Sequence, residues 1–161
     1  MLMISESSGG YEIRRARVAD VPGISALVGR FAEENLMLPR PVSTVYPSIR
    51  DFHVAVGPSG EMVGCCALAV VSDELAEVRS LAVDPSTQGS GIGKRLVEVA
   101  INEARVLGLP KAFALTRVPE FFERLGFVHT DMKALPQKVW NDCIHCPLFP
   151  DCDEVALIKE L

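Results

Sequence analysis

At 161 residues the chain has the length of one compact domain with a continuous apolar core and leaves little room for a second. Its hydrophobic share of 48% and charged share of 23% are those of a globular protein and exclude a disordered or fibrous one. The net charge of -5 argues against nucleic acid as the main partner, because a phosphate backbone is held mostly by an excess of Lys and Arg.

The opening stretch, Met1 to Gly10, lacks the basic residues and long apolar core of a signal peptide, and residues 1–10 read as a flexible leader. The remainder, residues 11–161, reads as a single domain. Ile13, Arg15 and Arg17 alternate with Glu12, Arg14 and Ala16, which suits a short edge strand. Asp20 is placed to cap a helix with Pro22 in its first turn and Ile24, Leu27, Val28 and Phe31 at helical spacing. The stretch from Leu36 to Pro47 carries three prolines and reads as a loop with a short helix from about Ser43. Phe52–Val56, a turn at Pro58–Glu61, and Met62–Val71 then predict strand, turn and strand, and Glu77–Val83 predicts a further strand in an antiparallel meander.

Asp84-Pro85 ends that strand. Ile92, Leu96, Val99, Ala100, Ala104 and Leu107 recur on one helical face up to Gly108, with Lys94, Arg95, Glu98 and Asn102 facing outward. Lys111–Leu115 predicts a strand, Pro119–Leu125 a short helix, and Gly126-Phe127 a stop before another strand. The longest clean apolar run, Cys65–Val71, falls far below the roughly 20 residues a membrane-spanning helix needs. With no membrane segment and an odd number of cysteines, five, reduced thiols in the cytoplasm are expected. The protein is expected to fold alone or as a homodimer, with neither nucleic acid nor membrane as a partner.

Gly89, Gly91 and Gly93 lie between a predicted strand and a long amphipathic helix. That order places backbone N–H groups at the positive end of the helix dipole, where they can bind phosphate oxygens without side-chain charge. A tight strand-to-helix turn without a ligand is the competing explanation. Two phosphate-binding patterns fail on spacing. A P-loop needs Ser or Thr after Lys94, where Arg95 stands, and Gly where Gln88 stands. A dinucleotide fingerprint needs a third glycine at the place of Lys94 or of Leu96, according to the starting glycine.

Val83-Asp84-Pro85, Gln88-Gly89-Ser90-Gly91-Ile92-Gly93 and Phe121-Phe122-Glu123-Arg124-Leu125-Gly126-Phe127, in that order and spacing, resemble the GNAT acetyltransferase superfamily from about Ile13 to Val128. The resemblance implies a mixed α/β GNAT fold: a central, largely antiparallel sheet splayed at the coenzyme strand, with helices on both faces. It implies acetyl-CoA as co-substrate, with Leu81 and Val83 holding the pantetheine through their main chain. Gln88, Gly89, Ser90, Gly91, Ile92, Gly93 and Lys94 would cradle the pyrophosphate.

Within the superfamily, Ile13-Arg14-Arg15-Ala16, Leu38-Pro39-Arg40, Ala76-Glu77, Leu115-Thr116-Arg117 and Leu135-Pro136-Gln137-Lys138 resemble the acetyltransferase part of N-acetylglutamate synthases, and short stand-alone forms most of all. The resemblance implies acetylation of the α-amine of L-glutamate, the entry to arginine biosynthesis. Glutamine, another small-molecule amine or a protein amine is the rival acceptor, and a non-catalytic acyl-CoA sensor is the reading from another class.

An ammonium must lose a proton before it attacks a thioester, so a positioned carboxylate is useful. Glu77 corresponds to the base proposed in the synthases; its plain alternative is a strand-edge ion pair. Thr116 falls near the hydroxyl residue proposed there as acid, although a strand-end threonine is commonly structural. The tyrosine many GNAT enzymes use as acid is replaced here by Phe122, which cannot donate. Glutamate offers two carboxylates that a planar guanidinium can grip bidentately, and Arg40, Arg79 and Arg117 are the candidates, Arg40 by its match to a substrate-binding arginine of the synthases. After Trp140-Asn141 the longer synthases carry Arg and Ser contacts to substrate, where this chain has Asp142-Cys143-Ile144-His145-Cys146-Pro147. Residues 136–153 thus form a Cys- and Pro-rich segment. Cys143, Cys146, Cys152 and His145 suggest zinc but lack the second paired half of a ribbon site, so no metal is expected in catalysis. Cys65 and Cys66 read as small core residues.

Overall fold

The computed structural model describes residues 6–8, 10–135 and 154–161, which fall into two compact units. One is built from residues up to Leu68 together with Val78–Asn102, the other from Ala69–Glu77 together with Glu103 onward.

The first unit opens with strands β1 (Glu6–Ser8) and β2 (Tyr11–Arg15), followed by helices α1 (Val21–Glu33) and α2 (Val42–Val45) and strand β3 (Phe52–Val56). Strand β4 (Met62–Val70), strand β5 (Leu75–Val83) and helix α3 (Ile92–Val106) come next, and each contributes residues to both units. The strand order is β1-β2-β3-β4-β5, antiparallel through β4. β2 pairs with β1 on one side and β3 on the other, so it is an interior strand and not the expected edge. That edge is taken by Glu6–Ser8, inside the stretch read as a leader.

Alternation along β4 separates two packing faces. Cys65 and Ala67 point into a buried cluster with Val21, Ile24, Leu27 and Val28 of α1, Phe52 and Val54 of β3 and Ala82 of β5. Gly64 faces α3: a Cβ placed there would lie 2.9 Å from Leu96 Cδ1 and 3.2 Å from Ile92 Cγ2. Helices therefore cover both faces of the sheet in this unit, and glycine is what lets α3 approach so closely. Both neighbours are fully buried, so Gly64→Val must displace packed atoms. It is expected to cost about 1–3 kcal/mol, seen as a fall of several degrees in Tm by calorimetry.

Two local expectations are corrected here. Asp20 makes no side-chain cap to α1. Its carboxylate instead accepts Arg17 N–H at 2.7 Å and both Nη groups of Arg14 at 2.7 and 3.0 Å, closing the short 3-10 turn Val18–Asp20 before the helix. These bonds overcome the opposing effect of burial and hold the Asp20 carboxyl below its ordinary pKa. Leu107, one residue past the end of α3, is 54% exposed, whereas Val97 and Ile101 of α3 are buried, as are Ile92, Leu96, Ala100 and Ala104. The inward stripe lies rotated from the expected one because it follows its packing partners, and Val97 and Ile101 continue the i, i+4 row.

The second unit adds β6 (Lys111–Thr116), α4 (Pro119–Glu123), β7 (Val128–Thr130) and β8 (Val155–Glu160). Its strand order is β5-β6-β8-β7. The β5–β6 pair is parallel, and β8 lies antiparallel to both β6 and β7. The last strand, unassigned by the sequence pattern, thus inserts between two earlier ones. Leu75, Phe113, Leu135 and Ala156 form its buried cluster. Phe122 is buried with its ring edge-on to Phe121 and Phe127 at 5.1 and 5.3 Å between centroids. Lys159 Nζ donates to Leu125 O at 2.6 Å, satisfying a carbonyl at the end of α4.

Candidate active site

The glycine loop is built from the end of β5 upward. Asp84 accepts Ser86 N–H at 2.9 Å and Ser86 Oγ–H at 2.8 Å, which starts a 3-10 turn over Pro85–Thr87 and holds the Asp84 carboxyl below its ordinary pKa. Arg30 of α1 adds an ion pair to Asp84 at 3.1 Å. Gln88 Nε2 then donates to Val83 O at 3.2 Å, so its side chain ties the loop back to the strand. Ser90 Oγ–H donates to Thr87 O.

Gly89 and Gly91 have φ of 90° and 84°, the left-handed region L side chains avoid. A Cβ on either would meet nothing within 4 Å, so glycine is demanded by the backbone and not by packing. The resulting turn delivers the chain into α3, whose first internal bond runs from Arg95 N–H to Gly91 O at 3.0 Å. The N–H groups of Ile92, Gly93 and Lys94 precede that bond and have no intrahelical acceptor, and they stand at the positive end of a 15-residue helix. Open space over a glycine turn at a helix N-terminus fits a pyrophosphate. Gly93, by contrast, is an ordinary helical residue. Lys94 is exposed and 3.9 Å from Glu98.

Leu81 and Val83 are half-buried and alternate with buried Ala82, which packs under α1. The β5–β6 ladder covers only Leu75, Ala76 and Glu77, paired with Lys111, Ala112 and Phe113. Past it, Ser80 takes a φ of 55° in mid-strand. A left-handed serine there breaks the regular strand geometry that continued pairing needs, in keeping with the expected splay at Leu81–Val83.

Glu77 is buried, 4% exposed, at the end of that ladder. Arg79, two residues on, is half-buried, and its charge opposes the effect of burial, which raises the Asp51 carboxyl above its ordinary pKa. Arg40 Nε donates to Ser80 Oγ at 3.1 Å, so the loop arginine and β5 meet directly within the first unit. Thr116 is buried at the end of β6, and its Oγ1 accepts Val118 N–H at 2.9 Å, a turn-forming bond that leaves the hydroxyl proton for another acceptor. Arg117 follows it in that turn, half-buried. Ser80 and Asp51 escaped the sequence reading, since neither a strand serine nor a loop aspartate carries a pattern of its own. The segment with Cys143, His145, Cys146 and Cys152 lies outside the described residues. Among the described residues no cluster of His, Cys, Asp or Glu could hold a metal, and no helix is long and apolar enough to cross a membrane.

Residues 48–129 match the family described as acetyltransferase (GNAT) domain. The chain is 42% identical over 149 residues to an uncharacterised N-acetyltransferase of Chlorobaculum tepidum, covering 92% of this chain and 96% of that one. It is 39% identical over 132 residues to an amino-acid acetyltransferase of Mycobacterium tuberculosis, covering 81% and 75%. Among solved structures, N-acetylglutamate synthase from Neisseria gonorrhoeae with coenzyme A and N-acetyl-glutamate superposes with a TM-score of 0.82 at 26% identity, over 96% of this chain but only 36% of that one. A Mycobacterium tuberculosis protein in complex with CoA superposes with a TM-score of 0.81 at 32% identity, over 92% and 98%. With the glycine turn, the helix it opens and the interrupted strand before it all in place, the chain belongs to the GNAT acetyltransferase family.

Proposed function

We propose that the chain transfers the acetyl group of acetyl-CoA to the α-amino group of L-glutamate, the first step of arginine biosynthesis. The observation that carries this reading is the likeness to the amino-acid acetyltransferase of Mycobacterium tuberculosis, 39% identical over most of both chains. The arginine fixed against β5 through Ser80 supports an acceptor that carries a carboxylate.

In this reading the turn at Gly89 and Gly91 and the first N–H groups of α3 hold the pyrophosphate. Main-chain groups of Leu81 and Val83 pair with the pantetheine amides. The carboxylate of Glu77 takes a proton from the acceptor ammonium, directly or through water, and the freed amine forms its bond to the acetyl carbon as the carbon–sulfur bond breaks. The leaving thiol resembles cysteine, with an ordinary pKa near 8.5, so its thiolate needs little help from an acid. Phe122 has no proton to give, and Thr116 is the hydroxyl candidate.

Release of free CoA, measured with L-glutamate, L-glutamine and a panel of small-molecule and peptide amines, tests the proposal. Glutamate is expected to give the highest kcat/KM. A higher value for glutamine or another amine would reassign the acceptor, and tight acetyl-CoA binding with no release for any amine would make the domain an acyl-CoA sensor.

A further inference from the structure

Arg40 is held at both ends. Its backbone lies between Pro39 and Pro41, and a residue preceding proline is confined to extended conformations. Pro41 is itself extended and accepts Thr44 N–H and Val45 N–H at 2.9 and 3.1 Å, so the segment is anchored to α2. The other end of Arg40 is tied by Nε to the hydroxyl of Ser80 at 3.1 Å.

Ser80 is an unusual residue for that task. It is buried, 7% exposed, and its φ of 55° costs about 1–2 kcal/mol relative to an ordinary strand residue. A left-handed residue persists in mid-strand only when its surroundings hold it there. The Ser80 carbonyl accepts Cys65 Sγ–H from β4 at 3.4 Å, and burial pushes the Cys65 thiol up to about 12, which keeps that donor protonated. The strained backbone is thus clamped by β4 while its side chain meets the loop arginine.

We infer that Ser80 is a positioning residue for acceptor recognition: its left-handed backbone aims the hydroxyl at Arg40 Nε and so fixes the plane in which the guanidinium meets an acceptor carboxylate. Carboxylate recognition by arginine is planar and two-pronged. With Nε tied to Ser80, a guanidinium already held in one plane loses less entropy when it pairs with a carboxylate. The inference rests on the proposed amino-acid acceptor, but its failure can be told apart from the failure of that reading.

The test is a double-mutant cycle. Ser80→Gly removes the hydroxyl and suits the left-handed backbone, so folding is preserved, and circular dichroism checks this. It is expected to raise KM for the carboxylate-bearing acceptor about tenfold without a matching rise in KM for acetyl-CoA. Ser80→Asn, whose side-chain oxygen can accept Nε–H and which tolerates the left-handed region, should recover part of the loss. In an Arg40→Gln background the Ser80→Gly change should have no further effect on acceptor KM. An unchanged acceptor KM in Ser80→Gly, or an equal loss with and without Arg40, overturns the positioning role while leaving the acceptor reading intact. If the unaltered protein acetylates no carboxylate-bearing amino acid, the acceptor reading falls, and the positioning role with it.

Discussion

Replacing Glu77 with glutamine is expected to lower kcat by about 10² to 10⁴ while KM for acetyl-CoA changes little. The two side chains have nearly the same shape, so the buried end of the β5–β6 ladder keeps its packing. What is lost is a carboxylate able to accept the ammonium proton. The defect should shrink as pH rises, because the acceptor amine then loses its proton to solvent before it binds, and the missing base matters less. Initial rates of CoA release across a pH series measure both effects. Full activity of Glu77→Gln at neutral pH would remove Glu77 from the chemistry and leave the burial of its side chain as a structural fact.

The second large effect is expected at Gly91. With φ at 84°, alanine there pays about 1–2 kcal/mol of backbone strain or swings the turn out of shape, and either way the N–H groups entering α3 no longer converge. Gly91→Ala is therefore expected to weaken CoA binding by roughly ten- to a hundredfold, read by titration calorimetry, with little change in acceptor KM. Gly93→Ala is the informative contrast. Gly93 is already helical, so alanine there leaves the left-handed turn at Gly89 and Gly91 unchanged. A loss of CoA affinity in Gly93→Ala would then report a clash between the new methyl and the pyrophosphate and nothing about the turn. Equal affinities for Gly91→Ala and the unaltered chain would mean that the turn is not the pyrophosphate site.

Much of this was legible in the residues themselves. The order of elements from Ile13 to Val128, the long amphipathic helix and the glycine turn before it follow from local signals: apolar periodicity, prolines at helix starts, and glycines between strand and helix. Sequence placed Gly89, Gly91 and Gly93 together as one motif, and only the backbone separates them, two in the left-handed region and one in the helix. Asp20 shows the limit of a local rule. Its identity and position suit a helix cap, yet Arg14 and the Arg17 N–H compete for the same carboxylate and win, because a bidentate pair with a guanidinium adds a full opposite charge that a backbone N–H lacks.

What only the tertiary structure decided is where distant segments meet. The place of β8 between β6 and β7 depends on pairing across the chain, to which short-range patterns are blind. The close approach of Ile92 and Leu96 of α3 to β4 at Gly64 likewise joins segments that no local pattern links. Arg40, half-buried beside a strand, owes its setting to Ser80, whose φ no residue type would announce. Local periodicity and turn residues record where each element starts and stops, so they determined the elements and the glycine turn. The bond between Arg40 and Ser80 joins residues forty positions apart, and such a long-range contact can be read only from the fold.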